Sequence, residues 1–135
     1  MSTLSVISVI DDDASLRAAL ENFLGSHGHS VQTFASAEEF LQSAYLNHAS
    51  CVIADVQMSG MSGLDLLMHM RSQGHNTPFV FITAFPEESV RTRALKAGAI
   101  GFLAKPFAGP ALMDCLETAL NGRRRGAGLD ASEDE

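Results

Sequence analysis

The chain has 135 residues, enough for one domain of ordinary size that buries its own core without disulfide or metal staples. Its hydrophobic fraction of 46% and charged fraction of 19% are those of a globular protein, and its net charge of −7 gives no basic face for direct nucleic-acid binding. No apolar run approaches the ~18 residues of a membrane span, and no basic segment precedes an apolar one as in a signal peptide. The expectation is therefore a domain working in a reducing cytoplasm, off the membrane.

The first apolar run covers 4–10 and ends in three aspartates, Asp11, Asp12 and Asp13. A helical period follows, with Leu16, Leu20, Phe23 and Leu24 on one face. A second strand is predicted over 31–34. Ser36 and Glu39 then read as a capping box before the period Ala37, Phe40, Leu41, Ala44, Tyr45. The third strand, 51–55, is a continuous apolar run that ends at Asp55. Ser62 with Asp65 marks the next helix start. The fourth strand, 79–83, ends at Thr83. Pro86 suits a first helical turn and Gly98 a helix end. The fifth strand, 100–104, runs into Lys105-Pro106, and Pro110 opens a last helix with Leu112, Cys115, Leu116, Ala119 and Leu120 on one face. From 123 to 135 apolar residues become scarce, and the reading there is a disordered charged tail. Cys51 and Cys115 sit in apolar segments and read as small core residues. The five histidines show no metal spacing.

Near-continuous apolar strands alternating with amphipathic helices predict an α/β fold: a flavodoxin-like, doubly wound, five-stranded parallel sheet of order 2-1-3-4-5 with five helices, the domain covering 1–122. Such folds bind ligands outside the carboxyl ends of their strands. Reading only strand ends selects Asp11 to Asp13, Asp55, Thr83 and Lys105. Clustered carboxylates repel unless a cation joins them, and oxygen-only donors favour Mg²⁺. A lysine and a hydroxyl beside them are the remaining parts of a phosphoryl-transfer site.

At this point the chain resembles a two-component response-regulator receiver domain of the CheY-like superfamily, and is most similar to the FixJ-like class. The resemblance spans about 4–121. It rests on Asp11-Asp12, on Asp55-Val-Gln-Met-Ser-Gly-Met-Ser-Gly63, on Phe-Ile-Thr83-Ala84, and on Lys96-Ala-Gly98-Ala-Ile-Gly-Phe102-Leu-Ala-Lys105-Pro106-Phe107. It implies that Asp55 is the phosphoacceptor. Asp11, Asp12, Asp55 and the Gln57 backbone carbonyl would bind Mg²⁺. Thr83 and Lys105 would contact the phosphoryl group, with Thr83 and Phe102 as the switch pair. The Lys105–Pro106 bond is expected cis. Arg17 stands where the family has a basic residue five after its second acid, which selects Asp11-Asp12 as the pair and leaves Asp13 as a helix N-cap.

Implied partners are a sensor histidine kinase or phosphotransfer protein and a downstream protein target. The resemblance also admits a homodimer through the face made by the fourth helix, fifth strand and fifth helix. The implied activity is that of a self-catalysing phosphoacceptor rather than an enzyme. A stand-alone receiver is the expectation; the alternative is a receiver fragment of a FixJ-like transcription regulator without its helix-turn-helix domain. A Mg-dependent aspartyl phosphatase is less consistent, because the acid it needs two residues after its nucleophile is Gln57 here. Two positions depart from the family or tune it. Ser59 stands where the family usually has proline, which predicts a looser loop and weaker Mg²⁺ binding. Phe85, two residues after Thr83, is bulky and apolar and predicts shielding of an acyl phosphate from water.

Overall fold

The computed structural model describes residues 5–128. Five parallel strands, β1 (Val6–Ile10), β2 (Ser30–Phe34), β3 (Cys51–Asp55), β4 (Phe79–Thr83) and β5 (Gly101–Ala104), form one sheet of order β2-β1-β3-β4-β5. They alternate with α1 (Ala14–Ser26), α2 (Ala37–Leu41), α3 (Gly63–Ser72), α4 (Glu88–Lys96) and α5 (Gly109–Gly128). This is the doubly wound topology predicted from the alternation of apolar runs and helical periods.

Period-two alternation sorts the strand residues onto two cores, each covered by helices. On one face Val52, Ala54, Phe79 and Phe81 pack with Phe40 of α2, Leu67 and Met70 of α3 and Ala94 of α4. On the other, Ile7, Val9, Ile53, Val80 and Ile82 pack with Leu20 and Leu24 of α1 and Leu112 and Leu116 of α5. Burying an aliphatic side chain of this size contributes roughly 1.5–3 kcal/mol each, so both helical layers are held chiefly by these stripes.

Helix starts follow the expected chemistry. The Asp13 carboxylate accepts the N–H of Ser15 at 2.9 Å and of Leu16 at 3.3 Å. Ser36 Oγ accepts the Glu39 N–H and Ser62 Oγ accepts the Asp65 N–H. Glu39 in turn accepts from Ala35 N–H, one residue earlier than a standard capping box. α4 ends in a Schellman motif: the Gly98 N–H bonds Leu95 O, the Ala99 N–H bonds Ala94 O, and Gly98 takes the left-handed φ of 105°.

Three expectations shift. Pro86 does not enter the first turn of α4, because Glu87 is the N-cap. The long period over 37–45 is broken: α2 stops at Leu41, and Ala44–Asn47 forms a single 3-10 turn capped by Ser43, whose Oγ bonds both the Phe40 carbonyl and the Tyr45 N–H. α5 is helical through Gly128 rather than ending near Asn121, in keeping with the high helix propensity of arginine at 123–125. Of the expected disordered tail, 129–135 lie outside the described residues, as does Leu4.

The last helix lies close on the sheet edge. A Cβ added at Gly101 of β5 would come within 2.7 Å of Cys115 Sγ on α5. Neither cysteine forms a disulfide. No described helix is long and apolar enough to cross a membrane.

Candidate functional site

Strand register brings the strand-end residues together. Ile10 of β1 is level with Ala54 of β3, so the next residue on each strand, Asp11 and Asp55, are neighbours. Asp55 is level with Ile82, and Thr83 with Ala104, which places Thr83 and Lys105 one step further along the same edge. The Lys105 N–H bonds the Thr83 carbonyl at 2.7 Å. The Lys105–Pro106 peptide is cis, as the resemblance implied.

The side chains close on one another. Lys105 Nζ donates to Asp11 Oδ2 at 3.0 Å and to Asp55 Oδ2 at 2.9 Å. Asp11 is fully buried and Asp55 is 7% exposed. One carboxylate oxygen each from Asp11, Asp12 and Asp55 lies within 4.8 Å of the others. The remaining oxygens are also held. Asp55 Oδ1 accepts the Gln57 N–H at 2.9 Å, and Asp11 Oδ1 accepts the Asp13 N–H at 2.9 Å. Arg17 donates to the Asp11 carbonyl at 2.7 Å. Thr83, 1% exposed, accepts the Phe85 N–H at its hydroxyl oxygen.

Burial pushes the Asp11 carboxyl above its ordinary value and the charge of Asp55 adds to this; the Asp13 N–H and Lys105 oppose it without cancelling it. Burial also works against the Lys105 ammonium, yet its bonds to Asp55 and Asp11 hold its pKa above the ordinary value. Three carboxylates against one ammonium leave a formal excess of two negative charges at the sheet edge. An oxygen-only donor set with that excess and one exposed member, Asp12, fits a hard divalent cation that keeps part of its water shell.

Every predicted strand-end residue thus lies on one edge, with Asp11, Asp55 and Lys105 in direct contact. Asp13 stands apart as the N-cap of α1. Phe102 lies on β5, level with Phe81, and its half-buried ring packs on the core shared with α4. Phe85 is 68% exposed, although its amide is fixed to Thr83. Two contributors received no role from the sequence alone: Gly63, present only as the end of a motif, and Glu38. A Cβ at Gly63 would lie 2.4 Å from the Asp55 carbonyl oxygen, so glycine lets α3 start directly behind the acceptor strand. Glu38 reaches from α2 to accept the Met61 N–H at 3.0 Å.

Residues 7–117 match the response regulator receiver domain family. Nodulation protein W of Bradyrhizobium diazoefficiens is 37% identical over 124 residues, which are 92% of this chain and 55% of that protein. The transcriptional regulatory protein FixJ of the same organism is 37% identical over 120 residues, covering 89% of this chain and 58% of FixJ. Among solved structures, the response regulator StyR superposes with a TM-score of 0.84 at 41% identity, covering 93% of this chain and 64% of StyR. The chain spans about half the length of the curated relatives it matches. With the acidic pocket, the strand-end lysine and the 2-1-3-4-5 sheet in place, this chain belongs to the response regulator receiver family, a signalling domain of two-component systems with the CheY-like fold.

Proposed function

We propose that Asp55 accepts a phosphoryl group from a sensor histidine kinase or a phosphotransfer protein. The observation that carries this reading is the Lys105 ammonium joining Asp55 to Asp11, with Asp12 in reach of the same point. A carboxylate oxygen of Asp55 forms the new P–O bond while the bond from phosphorus to the donor nitrogen breaks, and the nitrogen takes up a proton. The product is an acyl phosphate. Lys105 balances charge on the transferring group. Thr83 accepts its amide bond through oxygen and so keeps its own hydroxyl proton to donate to the phosphoryl oxygens.

Asp11, Asp12, Asp55 and the Gln57 carbonyl would hold Mg²⁺, which supplies positive charge to the phosphoryl oxygens when bound. Drawing Thr83 toward the new group opens space on the β4–β5 side, and Phe102 follows. The readout is the face of α4, β5 and α5, presented to a downstream protein or to a second copy. The phosphate acts by binding one of two conformations better than the other.

The test is intact-mass measurement after incubation with acetyl phosphate and Mg²⁺. Wild type is expected to gain one phosphoryl group, and Asp55→Asn and wild type in chelator to gain none. Equal labelling of Asp55→Asn refutes the assignment. Steady turnover of a phosphomonoester in place of a stable adduct would favour the aspartyl phosphatase chemistry instead.

A further inference from the structure

The segment from Gln57 to Ser62 leads from the acceptor strand to the N-cap of α3. Its turn is made by Gly60, at a left-handed φ of 78°. Two observations set Glu38 of α2 flush against this loop. Its Oε2 accepts the Met61 N–H at 3.0 Å, and the same oxygen lies 2.9 Å from where a Cβ on Gly60 would stand. The neighbouring glutamate is committed elsewhere, since Glu39 closes the start of its own helix through Ala35 N–H. Glu38 also stands on a fixed base, because Ala37 and Phe40 on either side of it are fully buried.

Within 58–61, among the described residues, the Met61–Glu38 bond is the hydrogen bond that joins the loop to a separate element. Met58 and Met61 add partial packing on the core. Ser59 leaves the backbone there without the fixed φ that a proline ring would impose.

We propose that Glu38 is a positioning residue for the metal site: its carboxylate, held on α2, keeps the 57–62 loop in the form that presents the Gln57 carbonyl. It does from outside the loop what a proline at 59 would do from within. The inference rests on the reading of Gln57 as a Mg²⁺ ligand beside Asp55. Glu38 is exposed and touches none of the reacting groups, so its removal leaves the fold and the carboxylate trio intact.

The experiment is a Mg²⁺ titration by calorimetry on the whole chain, with hydrogen exchange of the Met61 amide followed in parallel. Glu38→Ala is expected to weaken Mg²⁺ binding about three- to tenfold, the effect of losing one solvent-exposed hydrogen bond of ordinary strength, with faster Met61 exchange. Glu38→Gln keeps an acceptor oxygen and recovers part of the loss. Ser59→Pro added to Glu38→Ala restores affinity, which a merely structural role for Glu38 does not predict. Unchanged Mg²⁺ affinity in Glu38→Ala, with a wild type that binds Mg²⁺ and is phosphorylated on Asp55, overturns this inference alone. Failure of Ser59→Pro to restore affinity overturns it as well. A wild type without Mg²⁺ affinity overturns both it and the reading of the site.

Discussion

The β1–α1 turn and the β3–α3 loop both border the carboxylate cluster of Asp11, Asp12 and Asp55, yet they are built in different ways. The first is short and closes on itself. Asp11 receives the Asp13 N–H, Asp13 caps α1, and Arg17 one turn later returns to the Asp11 carbonyl. Each of these three bonds joins residues at most six apart; the bonds that leave the turn, from the Asp11 N–H to the Phe34 carbonyl and from Lys105 to the Asp11 carboxylate, go to the neighbouring strand ends and not to a helix. The second is longer, has a left-handed glycine at its tip, and draws its outside hydrogen bond from Glu38, 23 residues away on another helix. A turn that carries its own wiring positions a ligand wherever the strand ends. A loop that borrows its support positions one only when the neighbouring helix is in place.

The contrast is open to attack at several points. The largest effect is expected where the loop meets α3. Gly63→Ala forces a methyl group against the Asp55 backbone carbonyl, which cannot swing aside as a side chain would. Overpacking of this kind costs roughly 1–3 kcal/mol, and a thermal melt should show it together with loss of phosphoryl uptake. A melt within a degree of wild type would mean the backbone yields there.

In the short turn, Arg17→Met keeps the aliphatic stem but leaves the Asp11 carbonyl without its guanidinium partner. The expected loss is about 1.5–2 kcal/mol in denaturant unfolding, as for a hydrogen bond to a charged group. Asp13→Ala removes an N-cap and should cost about 1 kcal/mol, with Mg²⁺ affinity held because Asp13 lies outside the carboxylate trio. A large drop in Mg²⁺ affinity with Asp13→Ala would move the metal pair to Asp12 and Asp13. The smallest effect is expected above the site. Phe85→Ala should leave stability unchanged, since the ring is mostly exposed, while phospho-Asp55 hydrolyses about two- to threefold faster. An unchanged rate rules out shielding by the ring.

The self-wired turn was legible in the sequence because its information is local. The resemblance to the receiver family, which has a basic residue five after its second acid where Arg17 stands here, separates Asp11 and Asp12 from Asp13, and the capping preference of aspartate suits Asp13 to the helix start. Asp55, Thr83 and Lys105 were legible for another reason: parallel strands deliver their carboxyl ends to one edge, whatever the loops do. The borrowed support was not legible. Glu38 reads as one more acid on a solvent-facing helix turn, and only the packing of α2 beside the loop turns it toward Met61. The break after Leu41 was hidden likewise, since Ala44 and Tyr45 continue the helical period while Ser43 bonds the backbone in a way that ends it.

The approach of Cys115 to Gly101 ties the acidic edge to the far side of the molecule. With no side chain at 101 to act as a cushion, α5 bears directly on the strand that carries Phe102 and leads into Lys105. A residue with a side chain at 101 would push β5 and α5 apart, since Cys115 Sγ stands where its Cβ would need to go.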